Sequence, residues 1–590
     1  MKTIFPLTLS AALLVASPGL TETADRIILN GTIETMNPDQ PKAEAIAIRD
    51  GKIIFVGDGD GVQDFIGDGT NIIDLGGLYV TPGLIDSHNH VVASKWITTG
   101  VDVSSATSPD DVGRLMKEYA DAHPDETGPL IGVGWVLANL GNVPPRAKDL
   151  DKWDLGRPAM AIGNSSHDAA LNTLALEAAG ISNDTPDTQS GVIYWERDEN
   201  GDITGFGIEM VFFEAYIKMG AWDSQKLVPE SADYLQDFLA SKGVTTAMVP
   251  GLVTPGFVVS TEAAKSDMRD IMKLLKARVE NGEAKLRLNV LPWFKLPDAD
   301  PQDMVDFTAQ MRELYDTDML RTDKIKVHPE SAWLARGATQ LAPYQPEHEG
   351  DVATWGEYGV TPDRMFEVIN RANMNDLDVI THADGSRLVK RLTDILIEAQ
   401  KSYPDARNRM DHVTAMDNET RSRVVQHNIP TNATPMFYNE LDSGRKGVEM
   451  FKVMEPEFAR ETHGQYSELA QLYDNLSLSG DAPAAPIERA YPAYLFQQAM
   501  TLTEPSIEGS EPFPDWRPVM TIDQVLNAYT VAPAWQMGMD DVIGSLEPGK
   551  YADMTFWKNN LREIAGEDMI DEAVVVGTML NGQFTYRDGM

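Results

Sequence analysis

The stretch VTPGLIDSHNHV, Val80 to Val91, sets two histidines one residue apart behind a Pro-Gly turn and an apolar run. On a β-strand residues i and i+2 share a face, so His88 and His90 can converge on one point while Asn89 turns away. Two imidazoles so placed make half a metal site. The same pair also fits a solvated strand end, and other residues must decide between the two. The chain has ten histidines and no cysteine. A metal would therefore rest on His, Asp, Glu or a modified Lys, a nitrogen and oxygen site. More polar residues stand where apolar runs stop: Lys326 in KIKV, His382 closing VITH, His412 closing RNRMDH and Asp481 closing LSLSGD. Singly each has a plain reading, as a surface histidine, a lysine reaching to water or a turn former. In this order they are what the C-terminal strand ends of an α/β barrel would bring to one mouth.

The segments around them show what must do the positioning. From Arg26 short β runs are punctuated by Asn30-Gly31, Asp50-Gly51 and Gly76-Gly77, which predicts a small antiparallel unit over 25–80. A matching pattern returns in VIGSLEPGKYADMTFWK and AVVVGTMLNGQFTYRDG, so residues 538–590 are expected to pair with it in one β-sandwich. Between them GVTTAMV, KLRLNVLPWF, KIKVHPE, LDVITHADG and NLSLSGDAP alternate with amphipathic segments such as SDMRDIMKLLKARVE. That alternation predicts a parallel sheet with helices, open or closed into a barrel, over 81–537. The span exceeds the ~250 residues of a plain eight-stranded barrel, so insertions are expected at about 100–215 and near 436–475.

The balance of 49 basic against 90 acidic residues leaves a net charge of -41, which argues against nucleic acid and anionic membrane surfaces as partners. A small-molecule substrate is the expected partner, and the oligomeric state, a homodimer among the options, stays open. Lys2, the apolar run from Ile4 to Ala16 and the Pro18-Gly19 break resemble a secretory signal over 1–24, with an ambiguous cleavage point and a periplasmic or secreted destination.

These features together resemble the metal-dependent amidohydrolase superfamily, in the branch called amidohydrolase family 3 that includes N-substituted formamide deformylases. The likeness covers nearly everything after the signal, from ILNGTIETMNPDQPKAEAIAIRDGKIIFVGD through PGLIDSHNH to LNAYTVAPAWQMG and GSLEPGKYADM. It implies a (β/α)8 TIM-like barrel with an insertion and a small β-sandwich built from both chain ends. It also implies metal ligands at His88, His90, Lys326, His382, His412 and Asp481. These would hold one or two divalent ions, zinc first among them, with Lys326 carboxylated as a bridge. Three positions depart from the family pattern, Glu330-Ser331, Ser386 and Asp411, and all bear on the carboxylates that orient ligands. The resemblance further implies hydrolysis of an amide, formamide or carbamate C–N bond by a metal-activated water, with Asp481 as the proton shuttle. His167 in SSHDAALN is expected at the substrate, followed by Glu209; Trp135, Trp333 and Arg336 are weaker candidates. Rival readings are a lactone, ester or phosphoester hydrolase or a deaminase on the same site, and a metal-containing binding protein without turnover.

Overall fold

Eight short runs, six of them carrying Val, Ile or Leu, form parallel strands, most of whose residues are buried on both faces, as expected for strands with helices outside and a packed interior. They are β1 (Leu84–Asp86), β2 (Val244–Val249), β3 (Arg287–Val290, resuming at Trp293–Phe294), β4 (Leu320–Arg321, resuming at Lys324–Val327), β5 (Asp378–Ala383), β6 (Arg409–His412), β7 (Thr431–Ala433) and β8 (Leu476–Leu478). The computed structural model describes residues 23–590 except 93–94, 138, 165, 189–192, 209–210, 297–298, 332, 334–335, 347–352, 439–450, 452 and 485–486. The expected signal therefore falls outside the described residues but for Thr23 and Ala24, and Glu209 falls outside them too. No described helix is long and apolar enough to cross a membrane.

Neighbouring strands pair in parallel from β1 through to β8. Helices such as Ser224–Ser241, Thr261–Glu280, Pro301–Tyr315, Pro362–Asn373, Ser386–Ser402 and Asn418–Gln426 fill the connections. Ser260, Asp300 and Asp417 start three of them by accepting first-turn N–H groups, a cap typically worth about 1 kcal/mol. The array is barrel-like, but the closed barrel expected from the sequence needs correction, because β8 and β1 form no ladder. Each of these strands spends its ladder on its other neighbour, β1 on β2 and β8 on β7. Single bonds cross the seam instead: Ser87 Oγ to Ser477 Oγ (2.9 Å), Asp481 N to His88 O (2.9 Å) and His90 N to Ala482 O (3.0 Å). A second interruption, at Leu291–Pro292 of β3, follows from the N–H that proline lacks.

The chain ends meet in one six-stranded sheet. Thr32–Glu34, Lys42–Ala43 and Tyr79–Pro82 come from the first part of the chain, and Met554–Trp557, Val575–Leu580 and Gln583–Arg587 from the last. A four-stranded sheet packs on it, with Ile28, Ile46 and Ile48 against Val80, Met554 and Phe556. Trp557 Nε1 donates to Thr81 Oγ1 (3.0 Å) between the two chain ends. The unit is mixed rather than antiparallel: Arg26–Leu29 runs parallel to Asn71–Asp74, and Thr32–Glu34 to Tyr79–Pro82. The period-2 pattern marks strands but not their direction, and here the Ala45–Gly57 hairpin intervenes and returns the chain in the same sense.

Between β1 and Ser224 a separate six-stranded mixed sheet spans Val101 to Ile208. Its core holds Trp135, 1% exposed, with Nε1 donating to Ala161 O (3.0 Å). Trp135 is therefore a packing residue of the insertion and not part of the mouth. Of the second expected insertion, the described part contains the short helices Pro456–Thr462 and Tyr466–Leu472.

Candidate metal centre

β1 runs directly into the first two histidines, and Asp86 at its end anchors the turn that carries them. Asp86 Oδ1 accepts from His88 N and from Gly480 N (3.3 Å each), and its Oδ2 accepts from Asn89 Nδ2 (2.8 Å). One buried carboxyl thus ties the His-Asn-His segment to the turn carrying Asp481, and burial pushes its pKa up to about 7. Asn89 faces away from the histidines' target, as the strand period requires.

Each imidazole of the pair has an oxygen close to its Nδ1. His90 Nδ1 donates to Gly251 O (2.9 Å), and His88 Nδ1 lies 2.8 Å from Asp411 Oδ2. Gly251 O keeps the His90 proton on Nδ1 and leaves that Nε2 lone pair facing inward, whereas His88 Nδ1 stands at ion-pair distance from Asp411 without a hydrogen bond among the described residues. Both Nε2 atoms lie 3.4 Å from the same atom, Asp481 Oδ1. That oxygen is buried without a hydrogen bond among the described residues. Burial, and then the charge of Lys326, hold the His88 pKa well below the usual histidine range, so the ring beside the carboxylate is neutral and able to act as a ligand. Lone pairs facing an anion repel it unless a cation lies among them. Donor atoms ~2.0–2.1 Å from a tetrahedral ion stand about 3.4 Å apart, so the three atoms fit a divalent ion. They all lie within 4.8 Å of one another.

The other three expected ligands stand beside these residues but have different partners. Lys326 Nζ donates to Asp411 Oδ2 (2.7 Å), and Arg409 Nε donates to Asp411 Oδ1 (2.7 Å). Burial works against the Asp411 charge, yet Arg409 and Lys326 hold its pKa well below the carboxylate range. Burial lowers that of Lys326. The rings of His382 and His412 stand 4.6 Å apart, with His382 Nε2 and His412 Nδ1 buried and without hydrogen bonds among the described residues. His412 Nδ1 is 3.9 Å from Asp481 Oδ2, and burial, then His88, pushes its pKa down to about 3. Lys324, on the same strand face as Lys326, pairs with Asp378 (2.6 Å) and stands apart from this cluster.

Backbone strain gathers at the strand tips. His412 (φ +72°), Val413 (+46°) and Asp481 (+48°) are left-handed, at a cost on the order of 1–3 kcal/mol each that regular structure would not bear. The His412 and Asp481 side chains meet there, with His412 Nδ1 3.9 Å from Asp481 Oδ2.

Around this set the departures in sequence have structural roles. Glu330 accepts from Asp384 N (2.9 Å), Gly385 N (2.6 Å) and Thr339 N and Oγ1 (2.7 Å each), which clamps the turn after β5, and burial pushes its carboxyl up to about 7. Ser386 Oγ donates to Gln340 Oε1 (2.8 Å). Asp384, raised to about 6 by burial, lies 3.9 Å from His382 Nε2. His167 stands near enough to His328 and Asp384 for its charge to act on both. Trp333 packs edge-on to His463 (5.6 Å), and Arg336 Nε donates to Gln345 O (3.3 Å). The sequence reading passed over His328, Asp86 and Arg409. His328 lies two residues beyond Lys326 and so shares its strand face, the same rule that picked out His88 and His90.

One outer partner makes a pH test. His463 Nε2 donates to Tyr438 O (3.3 Å), and Tyr438 Oη donates to the backbone oxygen of His412. Burial pushes the His463 pKa down to about 4. The unfolded chain takes up the proton near pH 6.5 and the folded one only near 4, so stability is complete above 6.5 and falls as pH drops between those values. At pH 5 the loss is about 2 kcal/mol. His463→Phe is expected to lose less stability than the unsubstituted protein between pH 7 and pH 5 in denaturant unfolding; an equal loss in both would contradict the assignment.

Among known proteins, the chain matches the Amidohydrolase family over residues 71–586. It is similar to N-substituted formamide deformylase of Arthrobacter pascens, 23% identical over 96% of this chain and 99% of the relative. It is also similar to the protein LONG AFTER FAR-RED 3 of Arabidopsis thaliana, 25% identical over 95% of this chain and 92% of the relative. Its fold is shared with an uncharacterized metal-dependent hydrolase from Pyrococcus horikoshii, at a TM-score of 0.68 and 20% identity over 92% of this chain and 99% of that one.

Proposed function

Since this chain belongs to the amidohydrolase family, we propose that it is a metal-dependent hydrolase whose reaction is hydrolysis of a C–N bond of the amide, formamide or carbamate type in a small molecule. The observation that carries this reading is the convergence of His88 Nε2 and His90 Nε2 on Asp481 Oδ1 at 3.4 Å. These three would hold one divalent ion, and Lys326, carboxylated, with His382 and His412 would hold a second; imidazole and carboxylate donors suit zinc. The ion supplies Lewis-acid activation of water and of the substrate carbonyl.

The chain's own groups do the rest. Gly251 fixes the tautomer of His90, and Asp411 stands 2.8 Å from the Nδ1 of His88. Asp481 takes the proton that the attacking water releases and delivers it to the leaving nitrogen, so that amide and water become acid and amine. Arg409, which donates to Asp411 Oδ1, keeps Asp411 anionic beside His88. His167 contacts the substrate from the insertion. The Lys2-led apolar segment exports the protein to meet its substrate.

Protein purified from metal-supplemented expression is expected to hold about one to two equivalents of a transition metal and to release amine from a panel of formamides, acyl amides and carbamates, with turnover lost on chelation. Esters, lactones and aminated rings in the same panel read out the rival chemistries by alcohol or ammonia release. Protein that binds no transition metal would sink the reading.

A further inference from the structure

Six rings at the candidate metal centre follow one another in a closed cycle of contacts. In order they are His90, His88, His412, His382, His328 and Trp293, with neighbouring centroids 5.5, 4.7, 4.6, 4.2, 5.7 and 5.8 Å apart. Four of the five imidazoles belong to the proposed metal-holding set. His328 does not, and neither the family's ligand pattern nor the metal chemistry assigns it a task.

Its place is set by β4. His328 N donates to Phe294 O (3.0 Å), which continues the strand pairing one residue past Val327. By the i+2 rule its ring leaves the same face as Lys326, one layer nearer the mouth. The ring lies parallel to His382 (19° between planes), and its Nδ1 is buried with no hydrogen bond among the described residues. The residue as a whole is partly accessible.

Stacking argues against a fifth ligand. Imidazole lone pairs lie in the ring plane, so those of two parallel rings 4.2 Å apart run side by side and do not converge on one ion. A nitrogen left over at the rim of a metal site, beside the ring of a ligand, is placed for the substrate instead. An isolated polar group held there gains when a substrate oxygen pairs with it.

We propose that His328 is a substrate-binding residue whose ring N–H donates to the carbonyl oxygen of the bond being cleaved, held between Trp293 and His382. This rests on the hydrolase reading and extends it to how the carbonyl is oriented. His328→Phe keeps the ring stack and removes the donor, and His328→Gln returns one. In full-length, metal-loaded protein, metal content by elemental analysis is expected to match the unsubstituted protein in both. On whichever carbonyl substrate the unsubstituted protein hydrolyses best, kcat/KM should fall about 10–100-fold in H328F and recover several-fold in H328Q. Binding of acetohydroxamate by calorimetry should weaken about tenfold in H328F and return in H328Q. Loss of metal from H328F would make His328 a ligand and overturn the proposal. Unchanged kcat/KM and hydroxamate binding, or an H328Q that recovers neither, would overturn it as well. If the unsubstituted protein hydrolyses esters and no amide, the C–N reading alone fails, since the ester carbonyl and the hydroxamate still report on His328.

Discussion

Asp481→Asn is expected to keep the fold and most of the metal and to lose about 10²–10⁴-fold in kcat, the range of a general acid or base. The backbone permits this substitution cleanly. Asp481 sits at φ +48°, a conformation that Asn tolerates better than nearly any other non-glycine residue, and its N–H stays bonded to His88 O. The amide oxygen of Asn can still face the two Nε2 atoms that lie 3.4 Å from Oδ1 in the native protein. What Asn cannot do is accept a proton. Asp481→Ala serves as the contrasting case, because a left-handed Ala adds strain of about 1–2 kcal/mol and removes the oxygen altogether, so metal as well as turnover should go. Turnover and metal content measured together decide the matter. Near-native turnover in Asp481→Asn would refute the proton-shuttle role and leave Asp481 as a turn residue with a ligand atom.

The ligand candidates were legible where one strand could be read by itself. His88 and His90 follow from the two-residue period, and Lys326, His382 and His412 from polar residues at the ends of apolar runs. Asp411 is different. Its importance lies in a contact network across β1, β4 and β6, with His88, Lys326 and Arg409 meeting on one carboxylate, and no local pattern announces which distant cation an aspartate will face. The same holds for Glu330, whose four acceptor contacts reach nine and more than fifty residues along the chain. Trp135 shows the reverse error: an indole in a long insertion can face a mouth or fill a core, and only the packing of Val101, Met116 and Phe206 around it settles which. Strand direction at the chain ends and the unclosed seam between β8 and β1 belong to this class too, since both depend on which strands become neighbours in space.

Lys326→Ala is expected to lower the metal content of the centre, and the manner of rescue tells which chemical form of the lysine matters. Outer partners of metal ligands are already worth about 10–100-fold in affinity, and a bridging anion should exceed that. Burial lowers the Lys326 pKa, which raises the share of neutral amine, the form that attacks carbon dioxide to give a carbamate and release a proton. A carbamate reading predicts that acetate or propionate restores part of the metal and turnover in the Ala variant by filling the vacated stem with a carboxylate. The geometry with Lys326 Nζ on Asp411 Oδ2 (2.7 Å) offers the opposite case, a structural ammonium that holds Asp411 against His88. Breaking such a buried pair costs about 3–5 kcal/mol, and a short alkylammonium rather than a carboxylate would then be the rescuing ion. Lys324→Ala is the internal control: its amine pairs with Asp378 outside the cluster, so metal content should stay near native. Metal lost from Lys324→Ala and retained in Lys326→Ala would show that the wrong lysine of the strand face was chosen. Rescue of Lys326→Ala by alkylammonium alone would remove the bridging carbamate and leave a one-ion centre on His88, His90 and Asp481.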